Sequence, residues 1–189
     1  MSSNLVTVRR AALAAPALLL LYGILRFADG LDGHRGSGPL WNLGHLAFFA
    51  GMVLFGFLAV GLRGLVPPSG HRLATVATVA ALAGVACFLW VITGDLSAGF
   101  RTAAPLPAEL EMAGPMLFPL GVLVLFGLLV AARRLPVWTP LLFGAGIAAI
   151  TVDLDLLPFA ALVILAALTP LRRVAGPRHL RPGLATVLH

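Results

Sequence analysis

Seven carboxylates and one histidine are the side chains of this 189-residue sequence best suited to do chemistry. The acids are Asp29, Asp32, Asp95, Glu109, Glu111, Asp153 and Asp155, and each lies at the end of an apolar run or just beyond it. His45 is the only histidine inside such a run, one helical turn after Trp41. If Asp29, Asp95, Glu109, Glu111 and Asp153 converge with His45, they form a vestibule with two possible uses. Its oxygen ligands would suit a hard divalent cation. A carboxylic acid and a base of altered proton affinity would suit proton transfer. The competing reading is a set of hydrated turn residues that cap or end helices, and it is preferred for Asp32 and Asp155. For His45 the competing reading is a bond to a nearby carbonyl or acid that fixes packing. The candidate catalytic groups are therefore His45, Asp29, Asp95, Glu111 and Asp153.

Two arginines join this list. Arg26 and Arg101 could each hold an anionic lipid headgroup. Arg26 lies one turn before Asp29, so an i, i+3 ion pair or snorkelling toward headgroups explains it equally well. Arg101, near Glu109 in a proline-rich stretch, has the same alternatives. A lone intramembrane histidine cannot supply the paired axial ligands of a membrane b-type haem. Cys87, the single cysteine, excludes a disulfide framework and reads as an inert small apolar residue. The sequence has no P-loop, no HExxH, no CxxC, no dinucleotide fingerprint and no nucleophile elbow. No metal and no cofactor is expected.

The elements that must position these groups follow from composition. Hydrophobic residues make up 60% of the chain and charged residues 11%, against roughly half and a quarter in a soluble domain. That balance excludes an ordinary water-soluble domain and a disordered tail. The net charge of +6 comes from thirteen cations, all arginine. Lysine and glutamine are absent, as in chains from GC-rich genomes.

A helix needs about 20 apolar residues to cross a hydrocarbon core of about 30 Å. Such runs occur near 11–27, 43–62, 73–92 and 112–132. A longer apolar stretch is interrupted at Asp153 and Pro158, giving two short helices near 137–152 and 156–171. At ~1.5 Å per residue each of these reaches only about 24 Å, enough for a thinned bilayer or a hairpin that does not fully cross. The predicted fold is an all-α, integral membrane six-helix bundle of three successive transmembrane hairpins over 1–171, followed by an Arg/Pro-rich cytoplasmic tail over 172–189.

Orientation follows from the arginines. With the N-terminus inside, Arg9, Arg10, Arg63, Arg72, Arg133, Arg134, Arg172, Arg173, Arg178 and Arg181 all lie on the cytoplasmic side. Only Arg26, Arg35 and Arg101 lie outside. This is the positive-inside pattern, so both termini are placed in the cytoplasm. The acids were not used for that assignment, yet all seven fall on the outer side. The basic charge therefore reads as contact with anionic lipid headgroups, not with nucleic acid. Arg9-Arg10 resembles a signal sequence, but no small-x-small cleavage site follows, so the first helix is expected to remain.

An offset of 70 residues aligns the second run with the fourth. Gly44, Phe48, Gly51, Leu58, Val60 and Arg63 meet Gly114, Phe118, Gly121, Leu128, Val130 and Arg133. Pro16 and Pro140 likewise stand the same distance before Asp29 and Asp153. These matches suggest a parallel repeat of hairpins. Helix interfaces are expected on the small residues Ala77, Ala81 and Gly84, and on Gly144 and Ala148. Trp41, Trp90 and Trp138 read as interfacial anchors.

The segment from Pro39 to Arg63, with His45 followed by Phe48, Phe49 and Leu58, resembles the histidine-bearing helix of VanZ-like membrane proteins. The acidic, glutamine-containing motif of the next helix in that family has no counterpart here. The resemblance adds no site residue and no activity.

Three functions compete. The leading expectation is a structural or accessory protein of a bacterial inner membrane, multi-pass, with membrane lipids around it and a membrane-protein partner or second copy beside it. The first alternative is an enzyme acting on a lipid or isoprenoid at the outer leaflet through His45 and an outer carboxylate. It requires a partly apolar outer cavity with at least two ionisable groups in reach of each other. The second is a small transporter or cation conductor, which requires a polar path across the bundle.

Overall fold

The structure is a computed structural model that describes residues 2–31, 36 and 38–173. Every regular element among them is helical. Apolar runs of this length cannot leave backbone groups unpaired in lipid, and a helix satisfies them within the segment. The helices are α1 (Ser2–Asp29), α2 (Pro39–Arg63), α3 (His71–Leu96), α4 (Ala98–Ala103), α5 (Ala108–Ala113), α6 (Leu117–Ala131), α7 (Trp138–Val152) and α8 (Leu157–Leu168).

Five helical stretches are long and apolar enough to cross a membrane: Asn4–Asp29, Pro39–Arg63, Pro68–Leu96, Ala108–Ala131 and Leu154–Arg172. A multi-pass membrane protein fits this arrangement. The sixth, α7, has 15 residues, a reach of about 22 Å at the α-helical rise. The run expected near 112–132 falls within the continuous helical stretch Ala108–Ala131, in which α5 and α6 are joined by a 3-10 turn over Gly114–Met116, where Pro115 has no N–H to continue the α-helical ladder. Among the predicted tail and turn residues, Asp32, Arg35, Arg178 and Arg181 lie outside the described residues.

Successive long helices run antiparallel. α1 packs on α2, α2 on α3, α3 on α6, α7 on α8, and α8 returns to α1. The circuit closes at α6 and α7, whose contact is much the thinnest of the ring. The described acids therefore gather at one end of the bundle. Arg9, Arg10, Arg63, Arg72, Arg133, Arg134, Arg172 and Arg173 gather at the other.

Burial follows the helical period. In α3, Ala74, Ala77, Thr78, Ala81, Gly84 and Val85 are buried, while Val76 and Val79 are 66% and 62% exposed. Leu13, Leu21, Leu43, Phe57, Leu120, Leu141 and Phe159 are also exposed. A greasy sheath on every long helix is a liability in water and the expected surface in lipid.

The aligned glycines do equivalent work. Gly44 and Gly51 let α2 approach Tyr22, Ala15 and Leu18 of α1. Gly114 and Gly121 let α6 and its preceding turn approach Cys87, Ala77 and Ala81 of α3. The α3–α6 crossing is the closer of the two, because a Cβ on Gly84 or Gly121 would overlap the facing backbone. The third hairpin departs from this plan. Its close approach is at Gly146 against Ile164 and Ala160, whereas the expected Gly144 has only ordinary contact with Leu123. Pro16 lies well inside α1, but Pro140 is the third residue of α7. α7 thus lacks the basic-end half that α1 has before its proline.

Candidate functional site

At the acidic end, aromatic side chains meet from one helix to the next. Tyr22 of α1 stacks on Phe48 of α2 at 4.7 Å, and Phe48 meets Phe88 of α3 edge-on at 5.7 Å. Phe88 in turn meets Phe118 of α6 at 6.3 Å. Behind this chain lies a chamber of about 220 Å³ to which all six long helices contribute. Its wall includes Tyr22, Met52, Phe88, Phe118, Ile147 and Leu157. It is larger than an apolar cavity of about 150 Å³ that stays dry and takes up a benzene-sized ligand. The few polar groups on its wall are Asp95, the Tyr22 phenol and Thr151. The Thr151 hydroxyl donates to the Ala148 carbonyl.

Asp95 is placed by the last turn of α3 and faces two spaces. It closes the chamber and also lines an outer cleft of about 170 Å³ with Trp90, Phe100, Arg101 and Glu111. Ser97 accepts from the Phe100 N–H and starts α4. That turn carries Arg101 back so that its guanidinium donates to Asp95 Oδ1. Trp90 Nε1 donates to the Ala104 carbonyl at 3.0 Å and fixes the far wall.

The second carboxylate oxygen of Asp95 faces His45 Nε2 at 3.7 Å. His45 is 3% exposed. Its Nδ1 lies 2.9 Å from the Trp41 carbonyl one turn earlier. A carbonyl only accepts, so Nδ1 carries the proton in that bond. Nε2 is then left facing the carboxylate, farther off than a hydrogen bond reaches. Trp41 lies over the imidazole at 4.1 Å and Tyr22 meets its edge at 5.3 Å. His45 lines neither the chamber nor the cleft. Its bond to the Trp41 carbonyl agrees with the packing expectation of a bond to a neighbouring carbonyl or acid.

The remaining candidates divide. Glu111 shares the cleft with Asp95 and Arg101. Asp29 ends α1 and accepts from the Gly36 N–H at 3.4 Å. Asp153 caps a 3-10 turn by accepting from the Asp155 N–H at 2.8 Å. Neither lines the chamber or the cleft. Glu109 is exposed on α5. Among the described residues no three of these groups come close enough to hold a metal ion. Arg101 pairs with Asp95, not with Glu109. Arg26 makes no ion pair with Asp29 among the described residues, and its buried Nε lacks a partner there.

The chamber itself escaped sequence reasoning. A signal was available: Tyr22, Phe48, Phe88 and Phe118 all lie in the acid-end half of their helices, where their rings meet across the bundle. No family model, no curated protein and no solved structure matches the chain.

Proposed function

We propose that the chain is a small polytopic protein of a bacterial inner membrane, with six helices and both termini in the cytoplasm. Its outer half binds an amphiphilic, lipid-like molecule. The apolar part lies in the chamber, and the polar head meets Asp95 and Arg101 in the outer cleft. The observation that carries this reading is the position of Asp95 as the shared wall of an apolar chamber and a charged cleft. Ligand pockets typically combine a largely apolar lining with a few convergent polar groups. The thin α6–α7 seam offers a lateral way in from the bilayer.

Binding, in an accessory role, is favoured over catalysis. The base that the enzymatic reading needs, His45, stands behind Asp95 and reaches no open space. One observation supports an enzyme acting on a lipid or isoprenoid: Asp95, His45 and Arg101 do form a contiguous set of ionisable groups. In that case Asp95 is the group that touches substrate. The conductor reading gains no support. On the basic side of the chamber, Leu58, Leu62, Leu125, Leu129, Ala167 and Leu168 are buried to 1% exposure or less.

The test is whether the full chain, purified in mild detergent, carries a hydrophobic molecule that native mass spectrometry resolves. Ile147→Trp, which fills the chamber, should remove it. Val79→Trp, on the lipid-facing surface of α3, should leave it bound. No co-purifying molecule, or equal retention by both variants, would overturn the proposal.

A further inference from the structure

At the opposite end of the bundle, three clefts of about 310, 380 and 400 Å³ share their walls. Arg134 belongs to the first two, and Thr169 and Arg173 belong to the last two. Together they make one groove that runs from His71 past Arg134 and Trp138 to Arg172. Its described lining contains three arginines and no carboxylate. Among the described residues no acid lies within ion-pair distance of Arg134, Arg172 or Arg173, and the described acids are all at the other end. A cluster of cations beside a low-dielectric core, without a counter-charge, favours an anion.

The groove is also built. Arg134 donates through one terminal nitrogen to the Leu65 carbonyl at 2.6 Å. One of its five donors is used, and the guanidinium is held at the junction of two clefts. The chain reaches that position through Arg133, whose φ of 55° lies in the left-handed region. The Arg134 N–H then donates to the Leu129 carbonyl at 2.8 Å. This helix ending usually employs glycine, and a side chain there costs about 1 kcal/mol. The rim adjoins the lipid-facing surface: Val137 and Leu141 are 61% and 65% exposed, and Trp138 is 42% exposed.

We propose that this groove is a binding site for the phosphate head of an anionic phospholipid. Arg134, Arg172 and Arg173 contact the phosphodiester, Trp138 lies at the interface, and the acyl chains run along the adjoining apolar surface. The site is independent of the chamber and of any ligand there.

The test uses the full chain in detergent with phosphatidylglycerol, phosphatidylethanolamine of the same acyl chains, or inorganic phosphate. Bound lipid is read by native mass spectrometry. Phosphatidylglycerol should stay bound at collision energies that remove phosphatidylethanolamine. Arg172→Gln with Arg173→Gln should weaken it about thirtyfold, given roughly 1 kcal/mol per arginine near an anionic headgroup. Arg9→Gln with Arg10→Gln removes the same charge from exposed positions at the same end and should leave affinity within about twofold, well short of that loss. Equal retention of the two lipids would overturn the proposal, as would equal losses in the two double variants. Binding of inorganic phosphate as tight as that of the lipid would overturn its lipid source.

Discussion

The two halves of this bundle are built on different principles. In the basic half, alanine, glycine and leucine bring helices into close contact, and Leu58, Ala59, Leu62, Ala74 and Leu125 are fully buried. In the acidic half, Tyr22, Phe48, Phe88 and Phe118 line a chamber of about 220 Å³, although Gly84 and Gly23 still bring helices close to the Phe118 and Pro158 backbones beside it. Charge is handled oppositely as well. The acidic half sets Asp95 beside Arg101 and His45, whereas the basic half gives Arg134, Arg172 and Arg173 no carboxylate partner among the described residues. In lipid no hydrophobic force draws helices together, so association depends on packing. The fully packed half then acts as the clamp, and the hollow half is held by a few close crossings, at Gly84 on Phe118 and Gly23 on Pro158.

That division is most sharply tested where backbones touch. A Cβ on Gly121 would overlap the Ala77 carbonyl and the Ala81 backbone. A Cβ on Gly44 would meet the Tyr22 ring at 3.3 Å, beside the chamber. Backbone cannot withdraw, but a ring can shift by a few tenths of an ångström. Gly121→Ala should therefore cost about 2–3 kcal/mol, and Gly44→Ala less than about 1 kcal/mol. Unfolding of the two variants in mixed detergent measures the difference. Equal costs would mean that the facing backbone at Gly121 yields as readily as the ring at Gly44.

Removing charge should separate the halves next. Asp95→Leu leaves Arg101 free to reach water, since its side chain is 63% exposed. It also leaves His45 Nε2 buried with no acid to meet. The expected loss is about 1–2 kcal/mol, mostly from the histidine. Arg172→Gln at the other end breaks no described bond and should stay within about 0.5 kcal/mol. A larger loss for Arg172→Gln than for Asp95→Leu would reverse the contrast.

Much of this architecture was legible because lipid leaves few choices. Long apolar runs had to be helices, and hydropathy and charge placed most of their ends within four residues, except that α1 begins at Ser2, well before the run expected from residue 11. The Ala77, Ala81 and Gly84 face was readable from its spacing. Gly146 was not separable from Gly144, because both are small residues on a short helix and only tertiary contact distinguishes them. The site was half legible. His45 and Asp95 stood out as ionisable groups at helix ends, but their meeting depends on the α2–α3 packing. Arg101 reaches Asp95 only because Ser97 starts α4. Asp29 and Asp153 had the same sequence credentials as Asp95. Their backbones, however, end in turns whose N–H groups satisfy the carboxylates locally, at Gly36 and Asp155. The chamber was not legible at all, since a void is a property of how six helices fail to close.

The smallest expected effect tests the basic half from the other direction, by removing strain. Arg133 holds φ at 55°, and its N–H donates to the Val130 carbonyl at 2.8 Å. Glycine adopts this backbone without the Cβ clash, though it also gains freedom in the unfolded chain, which offsets part of the benefit. Arg133→Gly should therefore raise stability by roughly 0.5 kcal/mol. The same exchange at Arg63, which ends α2 in ordinary helical conformation, should lower it by about 1 kcal/mol, from helix propensity and from the lost bond to Thr75. Opposite signs in paired unfolding curves would show that the clamp half carries backbone strain at the turn that delivers Arg134 to its groove. A loss at both positions would mean that the Arg133 side chain itself holds the helix ends together, and that the turn costs nothing to keep.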